Sequence, residues 1–423
     1  MKKSFVMLMI IVVTLLVLII DISLYFKYLQ LFEKFKALNA GFFRYLYWIV
    51  PAGFLIFMYI MLSNPDILKQ ANSKIYWISG SFIILYVPKI IALFIVLPEY
   101  ILNLIGYFMR ENSTKPAVVS VGNTLNRMQF LSQLGFLSAG ILFGSLLWGA
   151  LVGKTSYTIN RIKLKYRNLP KKFNGFKIVQ ISDFHLGSWL HTQNSIDFFT
   201  GVVAEINALK PDIIVFTGDL VNNRADEATV WVDYLNKLEA KDGKYSVLGN
   251  HDYGKYARWN TEEEYNANMQ LMYDTHKKLG FRLLNNANES ITKDNETIHI
   301  IGVENWGNPP FPQYGDYYKA ISAISANEFH ILLSHDPSHW DSEIRHLNSA
   351  AMLTLSGHTH GMQFALNFNG KSWSPVQWKY KFWRGLYSES EKNLYVNIGL
   401  GNIAYPGRVG APPEITYIEL ETM

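Results

Sequence analysis

The first 153 residues constrain this chain more than any other feature, because they hold four long apolar runs with almost no charge inside them. Phe5 to Ile20 is unbroken except at Thr14, and Ser4 to Phe26 meets the roughly 20 residues a bilayer asks of a helix. Further runs cover Tyr45 to Leu62, Tyr76 to Leu97 and Met128 to Val152. None has the charge period of an amphipathic surface helix, so four transmembrane helices are expected. The third run contains Pro88 and Lys89, which predicts a kink and a charge that must be hidden. Ile101 to Phe108 is too short to cross and reads as interfacial. Lys2 and Lys3 precede the first run as they would a signal peptide. Its length, the lack of a small-x-small cleavage site and the three later spans favour an uncleaved anchor.

Gly135, Gly140, Gly144, Gly149 and Gly153 give the fourth run small-xxx-small steps that let helix backbones approach closely. Such a stripe packs either against the other helices of the chain or in the seam of a homodimer. Lys and Arg near the span ends set orientation. The segment from Leu151 to Lys177 holds eight cations and no acid, and Lys2, Lys3, Lys69 and Lys74 fall on the same side of a four-span arrangement. Lys27, Lys34, Lys36, Arg110, Lys115 and Arg127 fall opposite. The bias points to a multi-pass cell-membrane protein with a cytoplasmic C-terminal domain. Arg161 to Arg167 also alternates with period two, as a strand face would, and a basic strip beside a membrane attracts anionic lipid. The expected division is a transmembrane domain over 1–153, a basic juxtamembrane segment over 154–175 and a catalytic domain over 176–423.

Composition narrows the chemistry. The absence of cysteine among 423 residues excludes a disulfide framework, a Cys-based zinc site and a thiol nucleophile. An aromatic content of 15 % and a net charge of only +5 exclude intrinsic disorder.

From Phe176 the pattern changes to short β-rich runs alternating with helical ones. Strands are expected at 177–181, 213–216, 245–248, 297–301, 330–333, 352–355, 394–398 and 415–420. Helices are expected at 195–209, 225–238, 261–279, 317–325 and 337–347. The βαβαβ opening implies an α/β fold with a parallel sheet covered by helices, and the later strand-dense stretch implies a second sheet packed on it. The informative residues follow these strands: Asp183-Phe-His185, Gly218-Asp219, Gly249-Asn250-His251-Asp252, His335-Asp336 and Gly357-His358-Thr-His360. Ligands bind beyond the carboxyl ends of strands in open α/β sheets, so five polar clusters at five such ends must converge. Hard oxygen with imidazole and no sulfur suits Mn²⁺, Fe²⁺ or Zn²⁺. Seven donors exceed what one ion with an open position takes, but fit two ions sharing a carboxylate, a clamp suited to phosphoryl transfer. The glycines at 218, 249 and 357 allow the tight turns that aim these donors at one spot.

In this order the five blocks resemble the signature of the calcineurin-like metallophosphoesterases, and the tail from Gly399 to Arg408 with Pro412-Pro-Glu resembles a membrane-associated bacterial subgroup. The resemblance covers Phe176 to the end and implies a β-sandwich of two mixed sheets flanked by helices. It also implies that Asp183, His185 and His360 bind one metal, Asn250, His335 and His358 a second, and that Asp219 bridges them. Arg224 six residues after Gly218, without an Asp-Arg pair at the spacing of the serine/threonine phosphatases, argues against that subfamily. Asn222, where purple acid phosphatases carry a ligand tyrosine, argues against the other.

The mechanism so implied is in-line attack of a metal-bound hydroxide on phosphorus, with His251 protonating the leaving oxygen and Asp252 orienting its ring. Asp336, before Pro337, reads equally as a turn carboxylate and a site residue. His191 and His339 follow motif strands closely enough to meet substrate, and Tyr253, Lys255, Tyr256, Arg258 and Trp259 offer an aromatic and cationic rim. A tethered active site favours a phosphodiester of a lipid or envelope-linked substrate. A nucleic-acid or cyclic-nucleotide phosphodiesterase and a non-catalytic membrane scaffold are the alternatives. The small net charge speaks against nucleic acid, and the complete ligand set against a scaffold.

Overall fold

A computed structural model describes residues 3–33, 40–63, 71–110, 127–322, 324–325, 328–347 and 352–423. The chain divides into two compact units, Met1–Trp148 and Gly149–Met423.

The first unit consists of α1 (Lys3–Glu33), α2 (Ala40–Ser63), α3 (Ala71–Arg110) and α4 (Arg127–Trp148). Among the described residues three apolar stretches are long enough to cross a membrane, Ile10–Leu29, Tyr76–Leu102 and Phe130–Gly153, while Tyr45–Met61 in α2 is shorter. Ile101 to Phe108 does not stand apart: it continues α3, whose 40 residues span about 60 Å at 1.5 Å per residue. Both Pro88 and Pro98 lie inside that helix. Val17, Ile20 and Leu24 of α1 pack with Phe54 of α2 and Tyr86, Ala92 and Val96 of α3. Of the glycine stripe, Gly135 faces α3, where an added Cβ would lie 3.3 Å from Ile95 Cγ2; Gly140 and Gly144 have nothing within 4 Å among the described residues.

The Lys89 charge is hidden by a partner that the apolar run conceals. Lys89 Nζ lies 2.6 Å from Oδ1 of the fully buried Asp21, and Tyr86 donates to Asp21 Oδ2 at 3.1 Å. The Lys89 ammonium also stands over the Tyr86 ring, 4.8 Å from its centroid. A second pair joins Lys27 of α1 to Glu99 of α3, with Ser132 Oγ of α4 donating to Glu99 Oε2 at 2.7 Å. In lipid an isolated charge is costly, so each ion specifies where its partner helix must sit.

The second unit places β1 (Thr158–Tyr166), β2 (Phe176–Ile181), β3 (Ile213–Phe216), β4 (Gly243–Ser246), β5 (Arg282–Leu283) and β14 (Glu414–Thr422) in one sheet, ordered β1-β14-β2-β3-β4-β5. The other holds β6 (Ala287–Lys293), β7 (Glu296–Gly302), β8 (His330–Leu333), β9 (Leu353–Ser356), β12 (Gly385–Glu389) and β13 (Lys392–Val396), ordered β12-β13-β9-β8-β7-β6. The short hairpin β10 (Leu366–Phe368) and β11 (Lys371–Trp373) stands outside both. Strand alternation divides the apolar residues between layers. Ile213 and Val215 enter the core between the sheets with Ile300, Ile331 and Leu355. Ile214 and Phe216 point outward under α5 (Gln193–Ala208) and α7 (Glu262–Lys278). The fold is the expected helix-flanked sandwich of two mixed sheets.

Several boundaries differ from expectation. The alternating basic strip is β1, whose Lys163 and Lys165 pair with Glu419 and Glu421 on the parallel neighbour β14. Its Leu164 and Tyr166 enter the core. The 225–238 helix is a 3-10 segment, Ala225–Trp231, running into the single turn α6 (Val232–Leu235). The 317–325 helix shrinks to α8 (Tyr317–Ala320), and Ser338–Ser342 (α9) is followed by a separate 3-10 turn, Ile344–His346.

Replacing Lys89 by Met strands the Asp21 carboxylate and should cost roughly 3–5 kcal/mol in detergent unfolding titrations of the full chain. The double variant Asp21→Asn/Lys89→Met should recover most of that loss; no recovery would show that the pair is not the cause.

Candidate metal centre

Five loops at the carboxyl ends of β2, β3, β4, β8 and β9 meet above the two sheets. The approach is close enough to require glycine at two points. A Cβ on Gly249 would lie 2.2 Å from Asp219 Oδ1, and one on Gly357 would lie 2.1 Å from Ser182 Oγ and 2.3 Å from Asp183 Oδ2. Asp183, His185, Asp219, His358 and His360 all adopt left-handed backbone conformations, with φ between 44° and 73°. Each such residue costs of order 1–3 kcal/mol, a strain that clusters where function over-determines the backbone.

The donors fall into two groups that share one residue. Asp183, His185, Asp219 and His360 present ligand atoms within 4.8 Å of one another, and Asp219, His335 and His358 do the same. Asp219 Oδ2 lies 3.5 Å from His185 Nε2 and 3.2 Å from His335 Nε2, so one oxygen faces both groups. His185 Nε2 and His360 Nε2 are 2.9 Å apart, and His360 Nε2 is 3.3 Å from Asp183 Oδ1. In the second group His358 Nδ1 is 3.2 Å from His335 Nε2.

The hydrogen bonds around these rings suit cations between them. His335 Nδ1 donates to the Thr217 carbonyl at 2.7 Å, which commits that nitrogen and aims Nε2 at Asp219, where a bound cation would take the place of the Nε2 proton. His358 Nε2 faces Tyr380 Oη at 2.7 Å and Asp336 Oδ2 at 3.3 Å, leaving Nδ1 for the centre. Asn250 Nδ2 donates to Tyr256 Oη at 2.9 Å, and its buried Oδ1 has no hydrogen-bond partner among the described residues. These are the atoms a divalent ion takes. The electrostatics agree. Burial raises the Asp183 carboxyl to about 7; burial opposes charge on His335, yet Asp219 and Asp183 outweigh it and raise that ring to about 10. The carboxylates call for positive charge, which metal ions would supply.

One expected role is corrected. Asp252 does not orient the His251 ring. Its oxygens accept from the backbone N–H groups of Asp219, Leu220 and Gly249 at 2.8–2.9 Å, so it ties the β3 and β4 loops together. His251 Nδ1 instead donates to the Asn222 carbonyl at 2.6 Å, while its backbone N–H donates to Asp219 Oδ1 at 2.9 Å. The half-buried His251 ring packs edge-on to His185 and against Tyr256.

Asp336 fills both of its readings: Oδ1 caps Ser338 N at 2.8 Å while Oδ2 approaches His358. His339 is structural, bonded to Ser334 Oγ at 2.9 Å and stacked on Trp306. His191 packs against Trp231 and Tyr234. Of the rim, Tyr256 reaches the centre, whereas Lys255 stands over Tyr265 and Tyr314, and Trp259 under Arg224. Sequence reasoning missed Arg408 and Tyr380 as members of the site. Buried Arg408 donates to the Gly401 carbonyl and places Nη2 3.2 Å from His360 Nδ1. The basic residue in an otherwise glycine-rich tail was the available signal.

Gly357→Ala should push Asp183 off the centre: metal content by elemental analysis should fall while circular dichroism stays native. Full metal occupancy would show that the loop relaxes around the methyl group.

The family profile described as calcineurin-like phosphoesterase matches residues 176–362, and one described as a probable calcineurin-like phosphoesterase transmembrane domain matches residues 6–154. The uncharacterized metallophosphoesterase YkuE of Bacillus subtilis is 34 % identical over 70 % of this chain and 98 % of its own length. The UDP-2,3-diacylglucosamine pyrophosphatase LpxG of Chlamydia trachomatis is 31 % identical over 59 % of this chain and 85 % of its own. A transmembrane protein with metallophosphoesterase domain from Danio rerio is 28 % identical over 62 % of this chain and 56 % of its own. With two donor groups meeting at Asp219, a set of apolar helices earlier in the chain, and these relatives, the chain belongs to the calcineurin-like phosphoesterases, as a metal-dependent phosphoester hydrolase linked to the membrane.

Proposed function

We propose that this protein is a membrane-anchored, dinuclear-metal phosphoesterase that hydrolyses a phosphodiester-type linkage in a lipid-linked or envelope-linked substrate. One observation carries the reading: two groups of ligand atoms share the Asp219 carboxylate. Asp183, His185 and His360 serve one ion, Asn250, His335 and His358 the other, with Asp219 between them. Mn²⁺, Fe²⁺ or Zn²⁺ suits this donor set, and two such ions when bound would offset charge on the phosphoryl oxygens and lower the pKa of the attacking water.

The protein's own groups do the rest. Thr217 and Arg408 hold the His335 and His360 rings from behind, and Tyr256 turns the Asn250 amide so that its oxygen faces inward. His251, with Nδ1 committed to the Asn222 carbonyl, uses Nε2 to pass a proton to the leaving oxygen. Asp252 keeps Asp219 and His251 in register through the backbone.

The lipid-linked substrate class is supported by the apolar helices, which concentrate the active site at a surface where such substrates reside. It is also supported by LpxG, whose name describes a diacylated substrate. The transmembrane profile over residues 6–154 supports four crossings, and the Lys and Arg asymmetry supports a cytoplasmic catalytic domain.

The full chain, reconstituted in vesicles with Mn²⁺, should cleave lipid phosphodiesters in preference to nucleotides and oligonucleotides. Strongly salt-dependent cleavage of oligonucleotides would replace this reading with a nuclease. Asp219→Ala should abolish turnover and lower the bound metal together; an active, metal-replete variant would remove the bridging role. His251→Ala should slow cleavage of alkyl leaving groups by roughly 10²–10⁴-fold and that of nitrophenyl esters far less. Equal losses on both substrates would count against proton delivery.

A further inference from the structure

Large apolar side chains are left uncovered on the β10–β11 hairpin and the turn after it. Phe368 is 77 % exposed, Leu366 55 %, Trp373 41 % and Trp378 81 %. The pairing puts Leu366 opposite Trp373 and Phe368 opposite Lys371, so all four share one face of the ribbon. Trp378 packs edge-on against Trp373 and extends that face. Between Gly361 and Ser388 the chain carries Lys371, Lys379, Lys381 and Arg384 and no acid. An exposed aromatic patch rimmed by cations is the composition of a surface that sits among lipid headgroups.

The hairpin's anchorage says which surface it meets. At its root Ala365 N donates to the Val409 carbonyl at 2.8 Å, and Asn367 Nδ2 to the Gly410 carbonyl at 2.7 Å. The neighbouring Arg408 N donates to the Gly149 carbonyl at 3.1 Å. Gly149 opens the last turn of the membrane-length apolar stretch Phe130–Gly153. The aromatic face is thus built onto the segment that grips the end of that stretch. On its other side the hairpin joins the metal centre. His360 precedes β10 by six residues, Ser374 Oγ after β11 donates to the Gly361 carbonyl at 2.9 Å, and Tyr380 Oη meets His358 Nε2 at 2.7 Å.

We propose that the β10–β11 hairpin and the Trp378 turn seat in the membrane interface, as a lipid contact additional to the spanning helices. This contact holds the metal centre at headgroup level, with Lys371, Lys379 and Lys381 toward anionic phosphates. The contact itself rests on the membrane setting of the chain; only its effect on turnover rests on the hydrolase reading above.

Because the chain has no cysteine, Phe368→Cys gives a single site for a bimane label, with Asp274→Cys on α7 as a reference. The full-length labelled proteins would be reconstituted in phosphatidylcholine vesicles containing about a quarter phosphatidylglycerol. Nitroxide carried on the lipid should quench bimane at 368 and not at 274. Quenching at 368 by aqueous iodide alone would overturn the proposal and leave the face in water rather than in lipid. In a second arm, Phe368→Ser/Trp373→Ser/Trp378→Ser should lower turnover of a vesicle-embedded phosphodiester about tenfold, with bis-nitrophenyl phosphate cleavage kept within about twofold. An equal fall on both substrates would also overturn it, by showing that the hairpin supports the centre rather than its approach to lipid. If no variant, wild type included, turns over either substrate, the hydrolase reading fails while the quenching arm still decides the contact.

Discussion

The position of one carboxylate governs this site. Asp219 has an oxygen that faces both donor groups, and that oxygen is not placed by its own side chain alone. The residue sits in a strained backbone conformation that Asp252 stabilises from beneath by accepting the N–H groups of 219, 220 and 249. Asp252 is buried and acts through the backbone, so the β3 and β4 loops move as one body. Burial together with the Asp219 charge raises its carboxyl to about 7, and the N–H donors work against that rise. The arrangement is preorganisation in the plain sense: the cost of gathering negative charge is met during folding.

How much of this could be read beforehand follows from where the information lies. Each donor loop begins where an apolar run ends, so Asp183, Asp219, Asn250, His335 and His358 announce themselves by a change of residue type at a strand end. Arg408 and Tyr380 have no such marker; they reach His360 and His358 from segments 48 and 22 residues away. Asp252 was visible as a residue and opaque as a function, because its partners are peptide N–H groups, which every residue but proline carries. The same holds in the helical unit. Lys89 was conspicuous within an apolar run, but Asp21 lay inside a stretch that reads as spanning, and only the packing of α1 on α3 joins them.

The sandwich explains why the basic strip after the helices is ambiguous in sequence. Its cations look unpaired locally because Glu419 and Glu421 come about 250 residues later, on β14. Period two was the decisive signal: Leu164 and Tyr166 face inward and the lysines outward. Edge elements such as β10, β11 and β12 bury few residues and so lack that alternation.

The parallel pairing of β1 with β14 has a bearing on biosynthesis. β14 lies between β1 and β2, so the sheet beneath the metal loops has a gap until the residues at 414–422 leave the ribosome. Until then β1 and β2 present open edges, an aggregation-prone arrangement for a nascent chain. The helices can insert during translation, whereas this sheet can close only once β14 has emerged. The donors after β2 and β3 are thus carried on a complete sheet only after the apolar helices have been made.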